Sequence, residues 1–205
     1  MSLRQMACRF GTSLALVLGL ASVPLPAGAQ TFVVVPPSRE FSAGDSNNSI
    51  PTGANDGTFQ VLYPATQLGS IPIGSRITSM QMRMRNVNST PSPATTQQIA
   101  SYEVKIGSST RTPTTMSTVF ADNIVNPIVA RSGPLFIPAN SYPAEPNPFS
   151  TPEDWGPTIR FSMPYVYIGG PLVLELRSTG SNDHSLIADA SASTDLGGCV
   201  AITTS

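Results

Sequence analysis

Four stretches of the chain alternate apolar and polar side chains with a period of two. In ITSMQMRMRN, Met80, Met82 and Met84 share one side, with Gln81, Arg83 and Arg85 on the other. In SYEVKIGS, Tyr102, Val104 and Ile106 oppose Glu103 and Lys105; in TIRFSM, Ile159, Phe161 and Met163 oppose Arg160. In GPLVLELRSTG, Leu172, Leu174 and Leu176 oppose Val173, Glu175 and Arg177. A β-strand sends successive side chains to opposite faces. Each stretch therefore predicts a strand with one core face and one wet face, the mark of antiparallel sheets solvated on one side. The apolar rows named here are the predicted core, each side chain contributing about 1.5–3 kcal/mol if fully buried.

Further strand-like runs recur between clusters of Pro, Gly, Ser, Thr and Asn. The predicted strands are Thr31–Val35, Thr58–Tyr63, Ile77–Arg85, Ile99–Ile106, Ile124–Arg131, Leu135–Pro138, Thr158–Met163, Leu172–Arg177, Ser185–Ala188 and Cys199–Thr203. Residues 114–123 have room for one short helical turn. Residues 38–56, 86–98 and 139–157 read as loops, the last because five prolines exclude an ordered helix or strand. No segment has helical periodicity of any length, and no repeat is visible. Short strands punctuated by turn signals predict an all-β fold, a jelly-roll-like sandwich of two antiparallel sheets.

The N-terminus carries a different signal. Arg4 and Arg9 precede a short apolar run, Phe10 to Leu25, broken by Gly11, Gly19 and Pro24 and followed by Ala27-Gly28-Ala29. Positive charge, apolar run and a small-x-small site describe a secretory signal peptide. The expected organisation is a signal peptide over 1–29 and one β-sandwich domain over 30–205. The apolar run falls short of the roughly 20 residues of a comfortable membrane span, so no span is expected after cleavage. Cys8 lies before the run, whereas a lipoprotein cysteine would follow it. The expected destination is the extracellular space or cell surface, with the periplasm as an alternative.

Composition narrows the partners. Charged residues make up only 11% of the chain, against about 25% in ordinary domains. Outside the signal segment acidic residues outnumber basic ones, and Lys105 is the sole lysine. Nucleic acid, which requires a basic footprint, is excluded as a partner. Cys199 alone remains after cleavage, so no intramolecular disulfide is expected. It reads as a small buried hydrophobe, with intermolecular pairing as the alternative.

Candidate chemistry is sparse. Met80, Met82 and Met84 have the thioether spacing of a Cu(I) site, but one buried strand face demands the same spacing, and core packing is preferred. Asp183-His184-Ser185 holds the residue types of a hydrolase triad, yet adjacent residues cannot line up base and nucleophile, and a loop is preferred. Glu103 and Glu175 could form a glycosidase pair if about 5–10 Å apart. Each is followed two residues later by a base, Lys105 and Arg177, so cross-strand ion pairing is preferred. Asp183, Asp189 and Asp195, or Asp45 with Ser46-Asn47-Asn48, could supply hard oxygens to Ca²⁺. No EF-hand spacing is present, and no cofactor is expected beyond that calcium alternative. Trp155 could stack on a sugar ring, although packing over a sandwich edge is preferred.

Burying the apolar rows forces Arg83, Arg85, Glu103, Lys105, Arg160, Glu175 and Arg177 outward. Were these strands to share a sheet, they would form a locally basic docking face for anionic surface polysaccharide. Two segments also resemble a known group: TIRFSM, Pro164-Tyr165, Tyr167 and GGPLVLELRSTG over 158–180, and Ser117-Thr118, Phe120-Ala121-Asp122-Asn123 and Ser132-Gly133-Pro134-Leu135. Together they resemble uncharacterised secreted β-sandwich proteins of environmental bacteria, some of which carry a C-terminal PEP-CTERM sorting tail. The resemblance implies a sandwich fold and an exported or surface role, and brings no activity. No such tail follows Thr203-Thr204-Ser205, so either release or a truncated C-terminus is expected. The expected function is non-enzymatic, through binding or self-association at the cell surface or in the extracellular matrix. A carbohydrate-binding module, calcium-assisted or not, and a glycan-active hydrolase are the alternatives.

Overall fold

The structure is a computed structural model and describes residues 30–205 apart from 45, 50, 51, 54, 86–89, 145–151, 184, 192–196 and 199. The predicted signal segment, Asp45, His184, Asp195 and Cys199 lie outside the described residues. Among those described, no helix is long and apolar enough to cross a membrane.

The chain forms two main antiparallel sheets. One is four-stranded, built from β1 (Thr31–Val35), β12 (Val200–Thr204), β4 (Arg76–Met82) and β8 (Ile159–Val166), in that order. The other runs β3 (Gly57–Tyr63), β9 (Leu172–Ser181), β5 (Gln97–Ser108) and β6 (Val125–Arg131), with β7 (Leu135–Ile137) as a fifth strand on β5. A small third sheet joins β11 (Gly197–Gly198), β10 (Ala188–Ser191) and β2 (Ser46–Asn48). Without the four short strands β2, β7, β10 and β11, the pairing is nested. The first strand pairs the last, the second the seventh, the third the sixth and the fourth the fifth, alternating between sheets. That nesting is the jelly roll, as the alternation and turn spacing predicted.

The core between the sheets is the predicted one with a single exception. Met80, Met82, Met84, Tyr102, Val104, Ile106, Ile159, Phe161, Leu172, Leu174 and Leu176 are all buried in one cluster. The methionine stripe thus packs in the core. Met163 is 54% exposed instead. The β4·β8 register shifts between Ile77, opposite Tyr165, and Ser79, opposite Arg160. The slack on β8 falls over residues 161–164, which include Pro164, and alternation fails at Met163 before Tyr165 turns back inward. A register shift of this kind is a bulge, invisible to a pattern of period two.

Two short helical turns occur, Phe120–Asp122 inside the 114–123 stretch expected to hold one and Pro113–Thr115 overlapping its start. β2 lies within the predicted 38–56 loop; with three residues it carries no periodicity to read.

Candidate functional site

The expectation of a single basic face is corrected by the topology. Arg160 lies on β8 and Arg83 just beyond the end of β4, on the four-stranded side, with Arg85 following it. Glu103, Lys105, Glu175 and Arg177 lie on β5 and β9 of the other sheet. The wet faces of a sandwich point in opposite directions, so the arginines of the first sheet cannot join the charges of the second. Arg85, Arg160 and Arg177 retain solvent exposure. Arg83 does not, being only 1% exposed.

Arg83 leaves the sheet under cover. Its backbone forms a bridge to Trp155, and its Nε donates to Asp189 Oδ2 at 2.7 Å in an ion pair whose side chains are 1% and 2% exposed. Nη2 donates to the Ser42 carbonyl at 2.5 Å. Nη1 has no hydrogen-bond partner among the described residues, but the guanidinium lies 5.1 Å from the centre of the Trp155 ring, whose π face attracts the cation. Phe32 meets the same indole edge-on at 5.9 Å. Asp189 also accepts the Gly44 N–H on both oxygens, at 2.9 and 3.0 Å. Gly44 is required there, since a Cβ would stand 2.0 Å from the Ala190 carbonyl oxygen. Trp155 therefore packs over Arg83 on the outer face of the four-stranded sheet. Sequence reasoning missed the Arg83–Asp189 pair because the two residues are 106 positions apart.

The outer face of the five-stranded sheet is ordered in rows. Register aligns Leu62, Val173 and Gly107, then Gln60, Glu175 and Lys105, then Thr58, Arg177 and Glu103. The first row is apolar, with Leu62 and Val173 buried although they point away from the sandwich core. Ile124 and Pro127 lie against it: a Cβ on Gly107 would come within 2.8 Å of the Ile124 side chain and 3.2 Å of Pro127. The middle row is bonded end to end. Lys105 Nζ lies 3.0 Å from Glu175 Oε1 and 3.4 Å from Glu103 Oε1. Gln60 Nε2 donates to Glu175 Oε2 at 2.7 Å and to the Phe120 carbonyl at 3.0 Å. The cross-strand ion pairing expected from sequence occurs between Lys105 and Glu175; Glu103 meets Lys105 along its own strand, and Arg177 stands opposite Glu103 in register. The bond to Glu175 raises the Lys105 pKa above the ordinary 10.5. Glu175, expected on a wet face, is 9% exposed because Gln60, Lys105 and the segment leading into β6 crowd it.

Asn123 fixes that segment. Buried to 1% exposure, it accepts the Ser117 N–H at 2.7 Å and donates to Gln60 Oε1 at 3.0 Å and the Ser117 carbonyl at 2.9 Å. Its own carbonyl accepts Ser109 Oγ–H at 2.6 Å. Phe120 is thereby held above the sheet, 39% exposed. Between it and the strands opens a hollow of about 400 Å³ lined by Lys105, Phe120, Ala121, Ile124, Pro127 and Glu175. No sequence signal marked Phe120 as part of a site.

The remaining candidates fare differently. Glu103 and Glu175 both approach the Lys105 ammonium, at 3.4 and 3.0 Å, so each is engaged in an ion pair. Asp183 accepts the Ser185 N–H at 2.8 Å, the local turn of a loop. Asp189 is occupied by Arg83 and Gly44, and no group of three His, Cys, Asp or Glu among the described residues is arranged to hold a metal. A second hollow, about 420 Å³ beside β1, offers Glu40 as its one ionisable lining residue. The chain matches no family model and no curated protein sequence.

Proposed function

We propose that the protein is an exported, non-enzymatic jelly-roll module that acts by binding at the cell surface or in the extracellular matrix, through the outer face of its five-stranded sheet. The observation that carries this reading is the hollow under Phe120, where ionised and amide groups fixed by one another stand beside an exposed aromatic ring. Pre-positioned polar groups in an apolar-walled cleft are the usual makeup of a binding site. The leader-like sequence of Arg4, Arg9 and Ala27-Gly28-Ala29 supports export, as does the resemblance of residues 158–180 to secreted bacterial β-sandwich proteins. A non-enzymatic role is supported by Lys105, whose ammonium holds Glu175, the one carboxylate among the described residues lining this hollow, at 3.0 Å.

A broad glycan array, covering neutral and acidic glycans with and without calcium, tests the reading. Binding that is lost in Lys105→Gln supports it. A silent array, or cleavage of any arrayed glycan, overturns it.

A further inference from the structure

We infer that the hollow on the five-stranded sheet takes an uncharged sugar ring; the inference rests on the binding reading above and names its ligand. The first ground is charge. Glu103 and Glu175 face Lys105 and Arg177 across the same two strands, in register. An anion drawn to Lys105 meets two carboxylates that already hold it, and a cation meets the ammonium. Neither sign of ligand gains net attraction, whereas a neutral polyol pays no such penalty.

The second ground is the set of hydrogen-bonding positions left open. Both oxygens of Glu175 are engaged, one by Lys105 and one by Gln60. Lys105 has three donors and directs one to Glu175 and one to Glu103, so one N–H remains. Glu103 meets Lys105 through Oε1, leaving Oε2 open to accept. Lys105 and Glu103 are both about one-third exposed. A free donor thus sits beside a free acceptor, the complement of a hydroxyl or vicinal diol, which both accepts and donates.

The third ground is the apolar wall. Phe120, Ala121, Ile124 and Pro127 line the opposite side. A pyranose carries hydroxyls round its rim and C–H groups on its faces, and an aromatic ring can cover such a face. The Asn123 hydrogen bonds hold this wall in place before any ligand arrives, which lowers the ordering cost of binding. Arg177, exposed in the neighbouring row beside Glu103, would meet the next ring of a chain.

Affinity electrophoresis of the purified protein tests the inference, in gels containing soluble β-glucan, mannan, galactan or polygalacturonate. The expected result is retardation by at least one neutral polysaccharide, unchanged between about 0.05 and 0.5 M salt because no net charge is being screened. Phe120→Ala and Lys105→Gln should each weaken it about tenfold or more while the melting curve stays close to wild type. Retardation by polygalacturonate alone, fading with salt, would overturn the sugar class and leave the binding reading standing. Retardation by none of them, with a silent array, would overturn both. Undiminished retardation in both variants would show that the sugar binds elsewhere and overturn the assignment to this hollow.

Discussion

The two sheets each carry a cation held by carboxylate on their outer face, and the two clusters are built to opposite ends. Arg83 and Asp189 are sealed, 1% and 2% exposed, under Trp155 and beside the backbone of Ser42 and Gly44. Lys105 and its glutamates lie at the mouth of a hollow, with Lys105 34% exposed. The residue types suit the places. A planar guanidinium can bond a carboxylate, bond a carbonyl and stack on an indole at once, whereas an ammonium on a flexible stem can turn to a ligand. A sealed pair closed off from solvent by its own chain is fixed in structure. An open pair with positions to spare is available for binding.

The largest expected effect follows from the sealed pair. Arg83→Ala or Asp189→Ala leaves one charge buried without its partner and should cost about 3–5 kcal/mol in urea unfolding. Arg83→Met with Asp189→Asn removes both charges and leaves Gly44 its acceptor. It should recover most of that loss, because the pair's own net worth is small once the cost of dehydrating it is counted. Equal losses in the single and double variants would show that the site is held by shape rather than charge. The Lys105→Gln variant should shift the same measurement by only about 0–1 kcal/mol.

Packing variants at two positions sharpen the contrast between core and surface. Met82→Ala should destabilise by about 2–5 kcal/mol, and Met82→Leu by under about 1.5 kcal/mol because volume is kept. If leucine proves as damaging as alanine, the thioether has a role beyond filling the core. Gly44→Ala forces a methyl against the Ala190 carbonyl and should cost about 1–3 kcal/mol as an overpacked site does. A neutral result, read from the same unfolding curves, would mean that the loop can move away from Asp189 without loss.

The sequence announced the sheets more clearly than it did the site. Period two names the buried face of β4, β5, β8 and β9 because burial on one side is all that alternation encodes. It does not say which strands share a sheet. That depends on nested pairings between residues far apart in the chain, such as Gln60 with Glu175, and is the reason the seven predicted surface residues divided between two faces. Nor does alternation know what lies over the outer face. Arg83 and Glu175 read as wet, and each is buried by a loop that has no periodicity of its own. Part of the open cluster was legible, since Glu103, Lys105, Glu175 and Arg177 stand in strands at spacings that suggest pairing. Phe120 and Asn123 complete it from a connecting segment where position along the chain gives no hint of position in space.

The smallest effect concerns pH, and it tests whether the open cluster contributes to the fold at all. Burial raises the pKa of the Tyr102 and Tyr142 hydroxyls above their ordinary 10.0. Above that pH the unfolded chain loses tyrosine protons that the folded chain keeps, so stability should fall in wild type and in Lys105→Gln alike. Lys105 adds a second, separable dependence. Its folded pKa is raised, chiefly by the hydrogen bond to Glu175, so its stabilisation is fully present below the unfolded value of 10.5 and is lost as pH rises through the folded one. The difference in urea midpoint between wild type and Lys105→Gln should be small and constant from neutral pH to about 10, then close as the ammonium deprotonates. About 1 M salt at neutral pH should shrink the same difference, because a partly exposed pair is screened within about 3 Å there. A difference that persists once the amine is neutral would assign the stabilisation to the packing of the lysine stem against the hollow. The cluster would then support the fold in the manner of Arg83 and Asp189, and the distinction between the two sheets would lose its energetic basis.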